Sequence, residues 1–170
     1  DLYDGKTIGL QSDGRQVPPV ESIARFIYEA HALENADIHS TAINENWLNN
    51  VWIQGSSLGG ARPKANIIDE EGNLWIAKVP SIKDTYDVAL WEHFESLLAK
   101  SAGIKTAETQ LIQAGPTPYH TLLSKRFDRN GKKRVHFASS LTLAGLHDGD
   151  GADTHKGYID IAETIVGNAG

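Results

Sequence analysis

Between Gly55 and Lys78 the chain gathers residue types that bind phosphate. Gly55-Ser56-Ser57-Leu58-Gly59-Gly60-Ala61-Arg62-Pro63-Lys64 is a run of small residues ending in two cations, and Leu74-Trp75-Ile76-Ala77-Lys78 follows after a turn. Glycines permit backbone conformations and close approaches that a Cβ forbids, so amide N–H groups can turn toward an anion. Arg62 and Lys64 add positive charge beside them. Asp69-Glu70-Glu71-Gly72-Asn73 has the composition of a hairpin turn, and the flanking Ile67-Ile68 and Leu74-Trp75-Ile76 are short β-type apolar runs. With Val51-Trp52-Ile53-Gln54 as a first strand, the stretch predicts strand, small-residue loop, strand, tight turn and strand. Lys78 would be carried back beneath the loop.

Two well-known phosphate loops do not fit. A Walker A loop needs Lys-Ser/Thr after its second glycine, where Ala61-Arg62 stand, and the dinucleotide fingerprint Gly-x-Gly-x-x-Gly is absent. A strand lysine next to a glycine-rich loop is instead the arrangement that protein kinases use on nucleotide phosphates. An ordinary surface loop, in which Arg62 and Lys64 are simply solvated, remains open on these residues alone.

Four stretches in register carry a resemblance. Gly55 to Lys64, Trp75-Ile76-Ala77-Lys78-Val79-Pro80, Ala102-Gly103-Ile104 and Lys125-Arg126-Phe127-Asp128-Arg129 together resemble the HipA family of bacterial toxin kinases, across residues 50 to 165, roughly two-thirds of the chain. The resemblance implies an ATP-dependent serine/threonine protein kinase acting as the toxin of a toxin–antitoxin pair, with a DNA-binding antitoxin as partner. It implies nucleotide contacts from Gly59, Gly60, Ala61, Arg62, Pro63, Lys64 and Lys78, and a hinge at Lys125, Arg126 and Phe127. By the same kinase logic Glu92 is the candidate ion-pair partner of Lys78. The family also phosphorylates a serine in its glycine-rich loop, for which Ser57 is the matching position and Ser56 its neighbour.

Composition sets the frame for these residues. The 170 residues carry a net charge of −6, which argues against a direct nucleic-acid footprint, since neutralising phosphates needs a basic face. Lys132-Lys133-Arg134 is a small basic cluster after the turn signal Asn130-Gly131. No stretch approaches the ~20 apolar residues that span a bilayer, and the start is not a signal peptide, so a cytoplasmic chain is expected. The absence of cysteine rules out a disulfide framework and thiolate zinc. A chain without methionine that begins on Asp1 is expected to be a fragment or processed piece.

The expected fold is α+β: a mostly antiparallel sheet with helices at roughly 20–36, 86–102 and 157–167, resembling the upper lobe of a HipA-like kinase. Three portions are expected, 1–50, 51–129 and 130–170. After a loosely stranded start with turns at Asp4-Gly5 and Asp13-Gly14, Pro18-Pro19 opens a helix with Val20, Ile23, Ala24, Ile27 and Ala30 at helical spacing. The polar run Asp37 to Asn50 has room for one short helix. Leu90, Trp91, Phe94, Leu97 and Leu98 share one face of the next helix, with Asp84 or Thr85 as its cap and Gly103 as its stop. Glu108 to Ala114 and Tyr119 to Lys125 flank Gly115-Pro116-Thr117-Pro118 as a second hairpin. If Phe127 is core, Arg126, Asp128 and Arg129 form a structural charge cluster, which is compatible with a hinge.

Magnesium-holding and catalytic aspartates are not recognisable. His147 to His155 is rich in oxygen ligands, yet Ala152 stands at the third ligand position of the calcium-loop template, so the segment is expected to be an acidic loop without metal. The chain alone is therefore expected to bind ATP without catalysing transfer, Mg²⁺ entering only in a full-length protein. Two other classes stay open: a non-catalytic kinase-lobe-like module that binds a partner such as an antitoxin, and an anion-binding domain unrelated to kinases.

Overall fold

The computed structural model describes residues 9–10, 16–35, 62–130, 133–145 and 157–168. The expected strand at Val51–Gln54, the glycine-rich loop up to Ala61, the Asp37–Asn50 run and the acidic segment after His147 lie outside the described residues. Two compact units divide the chain, Asp1–Lys132 and Lys133–Gly170.

In the first unit, β1 (Gly9–Leu10) and β2 (Gln16–Val17) pair antiparallel. A 3₁₀ turn over Val20–Ser22 leads into α1 (Ile23–Asn35). Then come β3 (Lys64–Ile68), β4 (Leu74–Lys78), α2 (Val88–Ser101), β5 (Thr109–Ile112), β6 (Thr121–Lys125) and the two-residue β7 (Arg129–Asn130). The main sheet has the order β3-β4-β6-β5 with every neighbouring pair antiparallel, which makes the fold α+β.

Alternation along the strands decides what each face of this sheet carries. Trp75, Ala77 and Val79 are buried on one face, joined there by Ala65 and Ile67 of β3 and Leu123 of β6. Against them α1 sets Ile23, Phe26, Ile27 and Ala30, all at most 2% exposed. The helical period holds, with one change from expectation: Phe26 faces the core and Ala24 faces solvent. The larger side chain buries more apolar surface.

The opposite face carries Lys64, Asn66, Ile76, Lys78 and Leu122, and α2 lies across it on the β5–β6 side. No residue of α2 is buried. Leu90, Trp91, Phe94, Leu97 and Leu98 are 45–56% exposed, so the face that sequence periodicity marks as apolar turns outward. Polar side chains tie the helix to the sheet instead, such as His93 Nδ1 to Thr109 Oγ1 at 2.8 Å. The helix starts at Asp87, whose Oδ1 accepts from the Leu90 amide at 3.0 Å, and not at Asp84 or Thr85. It ends in a Schellman pattern, Ile104 N to Ala99 O at 2.9 Å and Gly103 N to Lys100 O at 3.1 Å, with Gly103 at φ +80°.

The β3–β4 turn is closed by its own side chains. Asp69 accepts from the Asn73 amide at 2.7 Å, from Asn73 Nδ2 at 2.9 Å and from Trp75 Nε1 at 2.8 Å. At the far end of β6, Arg126 grips Asp128 through two parallel bonds of 2.9 and 2.7 Å and reaches Asn66 Oδ1 at 2.7 Å, while Arg129 bonds the same carboxylate. Phe127 is 66% exposed and is therefore not core.

In the second unit, β8 (Lys133–Arg134) precedes a single turn, α3 (Ser140–Leu143), capped by Ser139 Oγ, which accepts from the Thr142 amide at 3.1 Å. α4 (Tyr158–Asn168) packs on α3 and exposes Ile159 and Val166. Among the described residues no helix is long and apolar enough to cross a membrane.

Two predictions follow from these contacts. Gly115 sits at φ +72°, and a Cβ there would meet Ile27 Cγ2 at 3.3 Å, whereas Gly103 has the same backbone sign with open space around it. Gly115→Ala should therefore cost about 2 kcal/mol or more and Gly103→Ala about 1 kcal/mol in urea unfolding; equal losses would show that the core has room at Ile27. Asp128 is held below the usual carboxylate range by the hydrogen bonds from Arg126, burial opposing and the charges of Arg126 and Arg129 adding. Folded Asp128 thus binds its proton less readily than unfolded Asp128, so its stabilisation is complete above about pH 4 and fades as pH falls through the depressed value. Asp128→Asn should lose about 2 kcal/mol at neutral pH and show a shallower decline on acidification; parallel pH curves for the two proteins would contradict this.

Candidate functional site

The antiparallel register sets Lys64 directly opposite Lys78, so both side chains rise from the same face of the sheet. Burial lowers the pKa of Lys64, the adjacent Lys78 charge lowers it further and Glu92 partly offsets both. Lys78 is not left in water: its Nζ forms an ion pair with Glu92 Oε1 on α2. Two turns of sequence logic meet here, the strand that ends in a lysine and the helix that follows it.

A second ion pair stands beside the first. Arg62 bonds Asp84 Oδ2, and Asp84 also accepts from the Ser81 amide at 2.9 Å, which fixes the loop after β4 as a tight turn. That loop is moored to the end of α1. Glu34 accepts from Ser81 Oγ at 2.7 Å and from the Ile82 amide at 2.8 Å, and His31 Nε2 donates to Pro80 O at 2.9 Å. Pro63 is buried, and its carbonyl accepts from the Val79 amide at 3.1 Å, holding the residue before β3 to the residue after β4.

A third pair closes the ring. Asp87 Oδ2 accepts from His120 Nδ1 at 2.5 Å and from the His120 amide at 3.2 Å. Burial opposes ionisation of Asp87, but the bonds from His120 and from the Leu90 amide outweigh it and hold its pKa below the ordinary value. Arg62, Lys78, Asp84, Glu92, Tyr119 and His120 line one narrow cleft, with apolar walls from Val79, Pro80, Val88 and Ala89. Such a site offers cations fixed by carboxylates, and that pattern suits an anionic ligand.

Of the expected site residues, Arg62, Pro63, Lys64, Lys78 and Glu92 come together at one end of the sheet. Lys125 does not join them. Its register partner is Trp75, so its side chain lies on the α1 face, where Nζ stands 5.5 Å from the Trp75 ring centroid and 3.3 Å from Glu108 Oε2. Its amide donates to Glu108 O at 2.8 Å and the Arg126 amide donates to Leu74 O at 2.9 Å. Arg126 is on the Lys78 face but is tied to Asp128 and Asn66. Gly59, Gly60, Ala61, Ser56 and Ser57 lie outside the described residues. Among the described residues no group of three His, Cys, Asp or Glu side chains could hold a metal ion.

Sequence reasoning missed Glu34, Asp84, Asp87 and His120 as parts of this arrangement. The cap expected at Asp84 or Thr85 falls on Asp87 instead. Glu34 and His120 carried no signal, because their partners lie far along the chain.

Comparison with protein families gives a match to the HipA-like C-terminal domain over residues 56–169. Neither curated proteins nor solved structures gave a match. The matched span takes in β3 to β6, α2, all three pairs and the second unit up to residue 169. Covering more than half of the 170 residues, it establishes that the chain belongs to the HipA-like C-terminal domain family.

Proposed function

We propose that the first unit is the nucleotide-binding part of a HipA-like ATP-dependent serine/threonine protein kinase, acting as the toxin of a toxin–antitoxin pair. The observation that carries this reading is the Lys78–Glu92 ion pair, a strand lysine fixed by a helical glutamate at the mouth of the cleft. In protein kinases that pair must be in place before phosphoryl transfer. Lys64 and Arg62 supply further positive charge beside it. Phe127 is the exposed aromatic of the segment that leaves β6, where an adenine would lie.

ATP would be the phosphoryl donor. Lys78 would hold its phosphates as a point charge, Glu92 would keep that ammonium in place, and Gly59 to Lys64 would cover the phosphates with backbone amides and Arg62. The transfer itself would also need Mg²⁺ and a catalytic carboxylate. Phosphorylation at Ser57 or Ser56 would add about −1.5 to −2 charge beside Arg62 and Lys64 and compete with nucleotide for them. Cytoplasmic location and a DNA-binding antitoxin partner belong to the same reading.

A specific observation favours a second reading, a non-catalytic module that binds a partner protein. The outward row Leu90, Trp91, Phe94, Leu97 and Leu98 is a large apolar surface for one helix. The two readings part at Lys78. On the kinase reading, Lys78→Ala should weaken Mg–ATP binding about tenfold to a hundredfold in a calorimetric titration, the worth of a charge-assisted contact. A Lys78→Ala protein that binds nucleotide like the wild type would remove Lys78 from the site and favour the module.

A further inference from the structure

We infer that Asp87 and His120 are a positioning pair that latches the first turn of α2 to the start of β6 and sets Glu92 within reach of Lys78. The inference rests on the nucleotide-binding reading above and adds positioning residues to that site.

Three features lead to it. First, no residue of α2 is fully covered, so polar contacts carry a large share of its seat on the sheet. Among the described residues they include Asp87 with His120, Lys78 with Glu92, and His93 with Thr109. Second, one carboxylate does two jobs. Asp87 Oδ1 caps the helix through the Leu90 amide, while Oδ2 takes both the amide and the ring N–H of His120, so the cap and the latch cannot move separately. Third, Glu92 follows Asp87 by little more than one helical turn, so a displacement of the cap is passed to Glu92 almost undiminished.

The chemistry gives the direction of the contact. An ionised carboxylate only accepts, so Nδ1 of His120 carries the proton that binds Asp87. The bonds from His120 and from the Leu90 amide hold the pKa of Asp87 below its ordinary value against burial, which keeps the acceptor ionised at neutral pH. Removing the imidazole leaves that carboxylate with two backbone amides as donors and weakens the tie between the first turn of α2 and β6.

The experiment is a set of Mg–ATP titrations on the full chain at neutral pH, for wild type, His120→Asn and His120→Ala, with amide exchange measured over residues 88–92. The asparagine amide can still donate to Asp87, so His120→Asn should match wild type in affinity and in exchange. His120→Ala should bind several-fold more weakly, with exchange at 88–92 about tenfold faster. A His120→Ala protein with wild-type affinity or wild-type exchange overturns the latch, and so does a His120→Asn protein as weak as His120→Ala. A wild-type chain that binds no Mg–ATP overturns the nucleotide reading, while the exchange rates over 88–92 decide the latch separately.

Discussion

Strand β4 works under a constraint that the rest of the domain obeys: successive side chains leave it on opposite faces. Trp75, Ala77 and Val79 enter the apolar layer under α1, and that same alternation forces Lys78 out on the other side. The lysine is therefore fixed by the burial of its neighbours. Moving it would mean shifting a register that also sets Ala65, Ile67 and Leu123 in the core. A cation held this way is presented without a flexible loop beneath it.

The two faces are stabilised by different physics. Under α1 the contacts are apolar and close, and every residue of the helical stripe is almost fully covered. On the other face Leu122 is also fully covered, but the contacts that hold α2 include ion pairs and hydrogen bonds at the margin of water, where a single ion pair is worth ~1 kcal/mol or less. Helix α1 is thus seated by burial, whereas every residue of α2 keeps some contact with water. Segments of the second kind are the ones that shift when a ligand arrives. Loop 80–84 joins the two regimes, because Glu34 and His31 of the well-backed helix hold the turn that presents Asp84 to Arg62.

Much of this was legible in the amino-acid order, and the divisions are physical. The β3–β4 hairpin announces itself through Asp69, Gly72 and Asn73, which satisfy one another within five residues. The helices over 20–36, 86–102 and 157–167 follow from local periodicity, and Gly103 ends α2 for a local steric reason. The rotation of α2 was not legible: five large apolar residues on one side mark a face for burial, yet Asp87, Glu92 and His93 find their partners in the sheet and turn that face outward. Asn66 with Arg126, Glu34 with Ser81 and Asp87 with His120 are separated by 60, 47 and 33 positions. No spacing rule reaches that far. The side-chain direction of Lys125 needed the register of β4 with β6, which a list of strands does not contain.

The family likeness begins at residue 56, whereas the helix that seals the sheet ends at Asn35. A polypeptide trimmed to the recognised span would keep all four strands and lose Ile23, Phe26, Ile27 and Ala30 together, leaving Ala65, Ile67, Trp75, Ala77 and Leu123 wet on one side. Such a product would be sticky and poorly soluble however intact its cleft looked on paper. The boundaries of kinship and the boundaries of autonomous folding differ here by a whole secondary-structure element, and anyone producing this protein has to respect the wider of the two.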